Sequence, residues 1–360
     1  MKRDMKKRIL VMIAAVMMTV VNVSAQRIQV VDSDGQGIPL ASVLTEDGIL
    51  IATTDLNGVV DDVKGAARVT VTHVAFKPQQ VTIASLTNGR VTMEDIDYNL
   101  AEIVVTPKQY IYVEDFYRVY VYRNDSLCYF LSGIMPNAYD LQKKKLEHGS
   151  YNQARCEYSP KMGVAVTWSV RAQGLGAGKV RAENWAEKEK KMKEAYFVTV
   201  SDESPKHKSY RNQQGLVGQL IRSDGQTRIT LDAGKMQMYA NEAKGQKKLL
   251  ERRQEKDYEY QFTLIYADNE EENCDVTSYV IATDHWEYND KKSHVKFIIE
   301  NYATDHYYIS KEEWKDRKKA IKEDYGSMMT LSEIASYEQR HNIPALSPAT
   351  RQAIGKMKQW

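Results

Sequence analysis

His285 and Glu287 stand two residues apart in the run ATDHWEY, a spacing that turns both side chains to one face of a strand. An imidazole beside a carboxylate is a unit of acid–base or metal chemistry. A catalytic zinc needs three protein ligands, however, and two groups do not make a tetrahedral site. The pair is therefore expected at the surface. The seven histidines begin the runs HVAF, HGSY, HKSY, HWEY, HVKF, HYYI and HNIP, so the H-x-x-E pair of a zinc hydrolase is missing. GLGAGK, at 174–179, lacks the spacing and the Ser/Thr of a phosphate-binding loop and reads as a loop. DNEEENCD (268–275) and DLNG (55–58) gather oxygens without the ligand register of a calcium loop; the first reads as a hairpin loop and the second as a tight turn. No G-x-S-x-G is present. Cys128, Cys156 and Cys274 lie far apart with no C-x-x-C pair, so they define no disulfide framework and no zinc ribbon. No catalytic, cofactor-binding or metal residue is assigned on these grounds.

The residue types that remain are tyrosines. In YIYVEDFYRVYVYRND, Tyr110 and Tyr112 alternate with Ile111 and Val113, and Tyr120 and Tyr122 alternate with Val119 and Val121. That pattern predicts strands with one aliphatic and one aromatic face. Tyr110, Tyr112, Tyr120 and Tyr122 are the candidate binding surface, since aromatic rows stack on sugars or a peptide strand; the competing reading is amphipathic cover at the edge of a core.

Such rows need a sheet to hold them, and the chain is rich in strand signals. From Arg27 to about Thr106 short alternating runs (RIQVVD, ASVLTED, ILIATTD, RVTVTHV, QQVTIAS) are separated by Asp-Gly and Asn-Gly turns. Val69, Val71 and His73 share one face there. Several such strands within eighty residues predict a small sandwich. VVDSDGQGIPLASV, TTDLNG and VTVTHVAFKPQQV resemble the carboxypeptidase regulatory-like module, a transthyretin-like β-sandwich of exported Gram-negative proteins. The resemblance rests on Asp32, Gly35, Pro39, Ala41 and Val43, on Thr54, Asp55, Asn57 and Gly58, and on the strand end Thr70–Phe76. Ile28, Val60 and Ala75 depart from it, standing where the family often has Gly, Phe and Gly. It implies a fold and no chemistry.

The chain opens with MKRDMKKR, thirteen largely apolar residues and NVSAQ, the layout of a secretory signal peptide cleaved after Ala25. The apolar run is short for a span, which takes about 20 residues. Five Lys/Arg and one Asp of the full chain, whose net charge is +2, lie in residues 1–25, so residues 26–360 carry −2. A near-neutral chain has no field to hold DNA or RNA, and nucleic acid is not an expected partner.

NLAEIVVTPK (99–108) is the kind of segment that precedes an outer-membrane transporter. The remaining length carries EKEKKMKE, KKLLERRQEKD and KEEWKDRKKAIKED, charged runs that a lipid-facing barrel would not tolerate. LAEIVVT is instead expected as a last strand and exit from the sandwich. Strands are further expected at RCEYS, GVAVTWSV, LVGQLIRSD, TRITLDA, YEYQFTLIY, VTSYVIATDHWEY and HVKFIIENY, and a helix over ENWAEKEKKMKEAYF. Ser310 with Glu313, and Thr330 with Glu333, predict capping boxes; Ser347-Pro348 starts a last helix, and Trp314, Ile321 and Tyr325 form a face that packs on the sheet.

The expected architecture is mainly β with C-terminal α: signal peptide 1–25, transthyretin-like sandwich 26–106, an antiparallel β-rich domain 107–309 and helices 310–360. The expected role is a non-catalytic, exported binding or adaptor protein of the cell envelope, periplasmic or peripherally associated with the outer membrane. It would recognise another envelope protein or a glycan and need no cofactor. The alternatives are a carrier holding a lipid or other apolar ligand in a curved sheet, and a hydrolase with a site assembled from distant residues.

Overall fold

Alternation of buried and outward residues builds the first seven strands of the computed structural model, which describes residues 27–96, 108–148, 152–159, 184–223, 225–245, 259–268, 270–290, 293–323 and 329–359. The strands are β1 (Ile28–Val31), β2 (Ser42–Leu44), β3 (Leu50–Thr53), β4 (Val59–Val60), β5 (Arg68–His73), β6 (Phe76–Thr82) and β7 (Arg90–Thr92). They form two sheets, β4-β1-β7 and β3-β2-β5-β6, with β1 and β7 parallel and the other pairs antiparallel. Val30, Val43, Val69, Val71 and Phe76 are fully buried in one cluster, and His73 shares the buried face of β5 with the two valines. The DLNG turn carries no metal-like ligand set. Asp55 Oδ1 accepts from the amides of Asn57 (2.9 Å) and Val59 (2.7 Å), and Gly58 supplies the left-handed conformation at φ 75°. A Cβ at Gly58 would lie 2.3 Å from the Val30 carbonyl oxygen, so only glycine lets the turn close on β1.

The second unit begins with a long hairpin, β8 (Tyr110–Arg123) and β9 (Ser126–Asp140), joined by Asn124-Asp125 with φ of 47° and 64°. Two positive-φ residues between antiparallel strands match the right-handed twist of the pair. Beyond the hairpin come β10 (Lys145–His148), β11 (Asn152–Tyr158), α1 (Trp185–Tyr196), β12 (Thr199–Ser204), β13 (His207–Asn212), β14 (Gly215–Ser223), β15 (Gln226–Asp232), α2 (Ala233–Ala243), β16 (Glu259–Tyr266), β17 (Tyr279–Asp290), β18 (Ser293–Ile309), α3 (Lys311–Glu323), α4 (Leu331–Arg340), α5 (Pro348–Gly355) and β19 (Lys358–Gln359). Among the described residues these strands make one 12-stranded sheet, ordered β12-β13-β14-β15-β16-β17-β18-β8-β9-β11-β19 with β10 on β9. The molecule is thus mainly β with helices concentrated at the C-terminus. The leader, LAEIVVT, GLGAGK, the GVAVTWSV strand, the KKLLERRQEKD run and Tyr325 lie outside the described residues.

Parity along β8 decides what covers the sheet. Ile111 and Val113 point to the side occupied by α1 and α2, in a core with Trp185, Met192 and Met236. Tyr110 and Tyr112 point the other way, onto Trp314 and Ile321 of α3; Phe116 stacks on Tyr337 of α4; Tyr120 and Tyr122 meet Ile354 of α5 and Leu44 and Leu50 of the first unit. The capping boxes form as expected: Glu313 N–H donates to Ser310 Oγ (3.1 Å) and Glu333 N–H to Thr330 Oγ1 (3.2 Å). Thr330→Ala is expected to destabilise the protein by about 1 kcal/mol in urea unfolding, with Thr330→Ser close to the wild type.

The two units share one hydrophobic core: Val30, Val71 and Phe76 belong to the same cluster as Ile265, Ile281, Tyr302 and Ile334. Polar contacts tie them further. Arg228 of β15 meets Asp32 at 3.0 Å with both side chains buried, Gln219 donates to the Leu56 carbonyl (3.1 Å), and the Leu50 amide donates to the Asp125 carbonyl (3.2 Å).

Candidate functional site

The four sequence-predicted tyrosines are not an open surface. Tyr110, Tyr112, Tyr120 and Tyr122 are 2, 2, 7 and 4% exposed. Their rings are used in docking: Tyr112 lies against Trp314 and Tyr307 and under the Arg317 guanidinium at 4.5 Å, while Tyr120 packs on Phe130 and donates to Glu300 (3.0 Å). A row of rings is the best sheet surface onto which a helix or a second sheet can settle, and here both have done so.

Two of these tyrosines nonetheless start the rows that lead to a polar cavity. Cross-strand register aligns Tyr122, Lys296, Glu287 and Glu259 over β8, β18, β17 and β16, and beside them Tyr120, Ile298, His285, Gln261 and Asp232, the last on β15. The β16–β18 part of these rows faces the first unit across a cleft of about 600 Å³, whose opposite wall is β3 with Asp55 and Lys64. That volume lies in the range of small-ligand sites, and the junction of two units is where such sites are common.

Most charges of the cleft are spent on one another. Glu287 accepts Lys296 at 2.9 Å and His294 at 2.7 Å, Lys64 meets Asp125 at 3.1 Å, and Lys235 meets Asp232 at 3.2 Å. The Glu259 side chain makes no ion pair or hydrogen bond with the described residues. Desolvation by the cleft wall raises its carboxyl above the usual range, and the like charges of Glu287 and Asp232 add to the shift. His285 is 8% exposed and its Nδ1 has no partner among the described residues. The expectation of a His285–Glu287 surface pair therefore fails: the two share a face, but His285 is buried and Glu287 is engaged from the neighbouring strand. The hairpin register that brings up His294 and Lys296 is invisible in the spacing 285–287. Glu259 carried no signal either, standing at the start of an ordinary strand.

Burial, then the nearby charge of Lys296, pushes the His285 imidazole down to about 3. His73, across the junction, is lowered by burial, by Arg228 and by His285. The unfolded chain keeps the ordinary value of 6.5. Between about 6.5 and about 3 the unfolded state therefore binds protons that the folded state refuses, and stability falls as the pH drops through that window. Urea unfolding at a series of pH values is expected to show that slope, and His285→Gln is expected to flatten it.

The remaining cavities have other characters. Arg118, Glu300, Tyr120 and Tyr302 surround about 40 Å³, room for water only. An apolar groove of about 930 Å³ runs beside α4 and α5, lined by Leu331, Ile334, Ile343 and Leu346. A third space of about 330 Å³ lies between α1, α2 and the sheet, lined by Met192, Leu231, Met236 and Phe262. None of the cysteines is disulfide-bonded; burial pushes the Cys128 thiol up to about 11 and that of Cys274 up to about 12, so both are thiols rather than thiolate nucleophiles. Among the described residues no three His, Cys, Asp or Glu side chains are placed to hold a metal, and no helix is long and apolar enough to cross a membrane.

No protein-family description, curated protein or solved structure matches the chain.

Proposed function

We propose that the chain is an exported, non-catalytic binding or adaptor protein of the cell envelope. Its ligand, a segment of another envelope protein or a glycan, would occupy the cleft between the first unit and the large sheet. The observation that carries this reading is the cleft itself: about 600 Å³ of space walled by residues of both units, with the exposed Glu259 carboxylate free of any ion pair with the described residues. A displaced histidine and a displaced carboxyl are also what a hydrolase would present. Glu287, however, is engaged by two cationic or imidazole side chains and not by a nucleophile, which favours binding over catalysis. The described walls carry no Tyr, Trp or Phe ring on which a sugar would stack, so a polypeptide is favoured over a glycan. Export is supported by the basic and apolar leader, and the envelope setting by the resemblance of residues 26–106 to the carboxypeptidase regulatory-like module. Peripheral association with the outer membrane would come from the partner and not from a span.

Affinity purification from intact envelopes tests the reading. The wild type is expected to retain a partner that Glu259→Lys loses. Recovery of nothing above background, together with no glycan retention, would overturn it.

One observation favours a second reading, a carrier of an apolar ligand: the methionine-lined space between α1, α2 and the sheet has the size and lining that a short acyl chain requires. Native mass spectrometry of gently purified protein decides it. A co-purifying lipid supports the carrier, and a bare protein mass removes it.

A further inference from the structure

Three groups that line the cleft are left over by the fold, and they come from three different elements. On the first-unit wall, Thr53 of β3 has a buried Oγ1 with no partner among the described residues. On the sheet wall, His285 of β17 has its buried, unpartnered Nδ1. At the mouth, Glu259 of β16 is exposed and its side chain has neither an ion pair nor a hydrogen bond within the described chain, whereas Asp125 and Glu287 are matched by Lys64 and by Lys296 with His294, and Asp55 is bound by backbone amides. The cations of the cleft are thus already committed to closer partners: Lys296 and Lys235 attract Glu259 only from a distance, and its carboxylate, near Glu287 and Asp232, is the acid left without a close ion pair.

The first-unit wall adds a backbone feature. β3 is the outer strand of β3-β2-β5-β6: it pairs with β2 on one side and, among the described residues, with no strand on the other. Leu50, Ile51, Ala52 and Thr53 all line the cleft. At one end the Leu50 amide is taken by the Asp125 carbonyl, so the edge is closed there and open beyond it. An unpaired strand edge is a template for another extended chain, and side-chain pockets beside it give such pairing its specificity.

We propose that the cleft receives an extended segment of a partner protein as an added strand along β3, with a lysine or arginine side chain of that segment held at Glu259. The segment's backbone meets the open edge at Thr53, whose N–H and C=O point away from β2, and its cation supplies the close ion pair that Glu259 lacks. This rests on the binding function proposed for the cleft and specifies its ligand. A neutral peptide satisfies the edge but leaves Glu259 unpaired, and a free amine pairs Glu259 but not the edge, so both elements are needed for tight binding. Charge-assisted contacts of this kind separate a cationic side chain from an isosteric neutral one by about tenfold in affinity.

The test is selection of a random pentapeptide library on the full-length mature protein. It is followed by titration of the selected peptide, of its norleucine analogue and of N-acetyl-lysine amide. Expected is one fixed position occupied by Lys or Arg, about tenfold weaker binding of the norleucine analogue, no measurable binding of the free amine, and loss of the preference in Glu259→Gln. Hydrogen exchange at the Thr53 amide should slow when peptide is bound, a signal that a merely structural change at Glu259 would not produce. Circular dichroism of Glu259→Gln, whose side chain is exposed, checks that the variant is folded. Selection of peptides with no basic position, an unchanged preference in Glu259→Gln, binding of the free amine as tight as the peptide, or no selected peptide at all would each overturn the proposal. Envelope purification separates the two failures: a partner still recovered with the wild type and lost with Glu259→Lys leaves the binding reading standing while the basic-segment reading falls.

Discussion

Replacing Arg118 with methionine is expected to destabilise the protein by about 3–5 kcal/mol, read as a drop in the urea midpoint at neutral pH. Arg118 stands on β8 with a side chain 3% exposed and reaches three elements at once: Glu300 on β18 at 3.5 Å, Glu338 on α4 at 2.7 Å and the Pro344 carbonyl at 2.7 Å. Tyr120 and Tyr302 donate to the same Glu300 oxygen at 3.0 and 3.2 Å. Burial raises the Glu300 carboxyl above its ordinary range even with Arg118 beside it. Without the guanidinium, two carboxylates stay buried and uncompensated, and the methionine stem restores volume but not charge. Protonating them relieves that penalty, so the deficit of the variant should shrink as the pH falls. A variant within about 1 kcal/mol of the wild type would show that the cluster is solvated in a way its burial does not allow.

Asp32→Asn is the second large effect, expected at about 3 kcal/mol. Asp32 Oδ1 accepts the amides of Asp34 (3.1 Å) and Gln36 (2.8 Å), which asparagine keeps, while Oδ2 holds Arg228 of β15 at 3.0 Å. The substitution thus leaves the β1 turn intact and strands a buried guanidinium at the junction. Arg228→Met added to Asp32→Asn should recover most of the loss, because it removes the orphaned charge. The shared core makes a further demand: the first unit and the sheet should unfold together, in a single transition seen equally by a probe in each. Separate melting of the first unit would contradict the continuous cluster that joins Phe76 to Tyr302.

Much of this architecture is legible in the chain because the forces behind it are local. Period-two alternation marks β1, β2, β3 and β5 as well as β14 to β18, and capping chemistry places α3, α4 and α5 to within a residue or two. The alternation Tyr110-Ile111-Tyr112-Val113 correctly separates two faces. It does not say which face is covered, since that depends on α3, more than 190 residues further on, returning to Tyr112 with Trp314. α2 escapes notice because AGKMQMYANEA carries a glycine in its first turn and comes directly after a strand with no spacer, and β12 and β13, in SDESPKHKSYRN, are too polar to show alternation. The cleft is the least legible feature. Its groups come from β3, β16, β17 and β18, and their meeting is set by strand register and by the docking of one unit on the other, neither of which leaves a mark within any short window.

The most direct test places a photo-crosslinking residue in the protein at Thr53, on the cleft wall, and in a second variant at Asp202, on exposed β12. Irradiated in intact cells, the Thr53 variant is expected to give a discrete adduct with an envelope component, the Asp202 variant none, and Glu259→Lys in the Thr53 background none. Adducts of equal yield from both positions, or an adduct from Asp202 alone, would contradict a ligand site at the junction of sandwich and sheet.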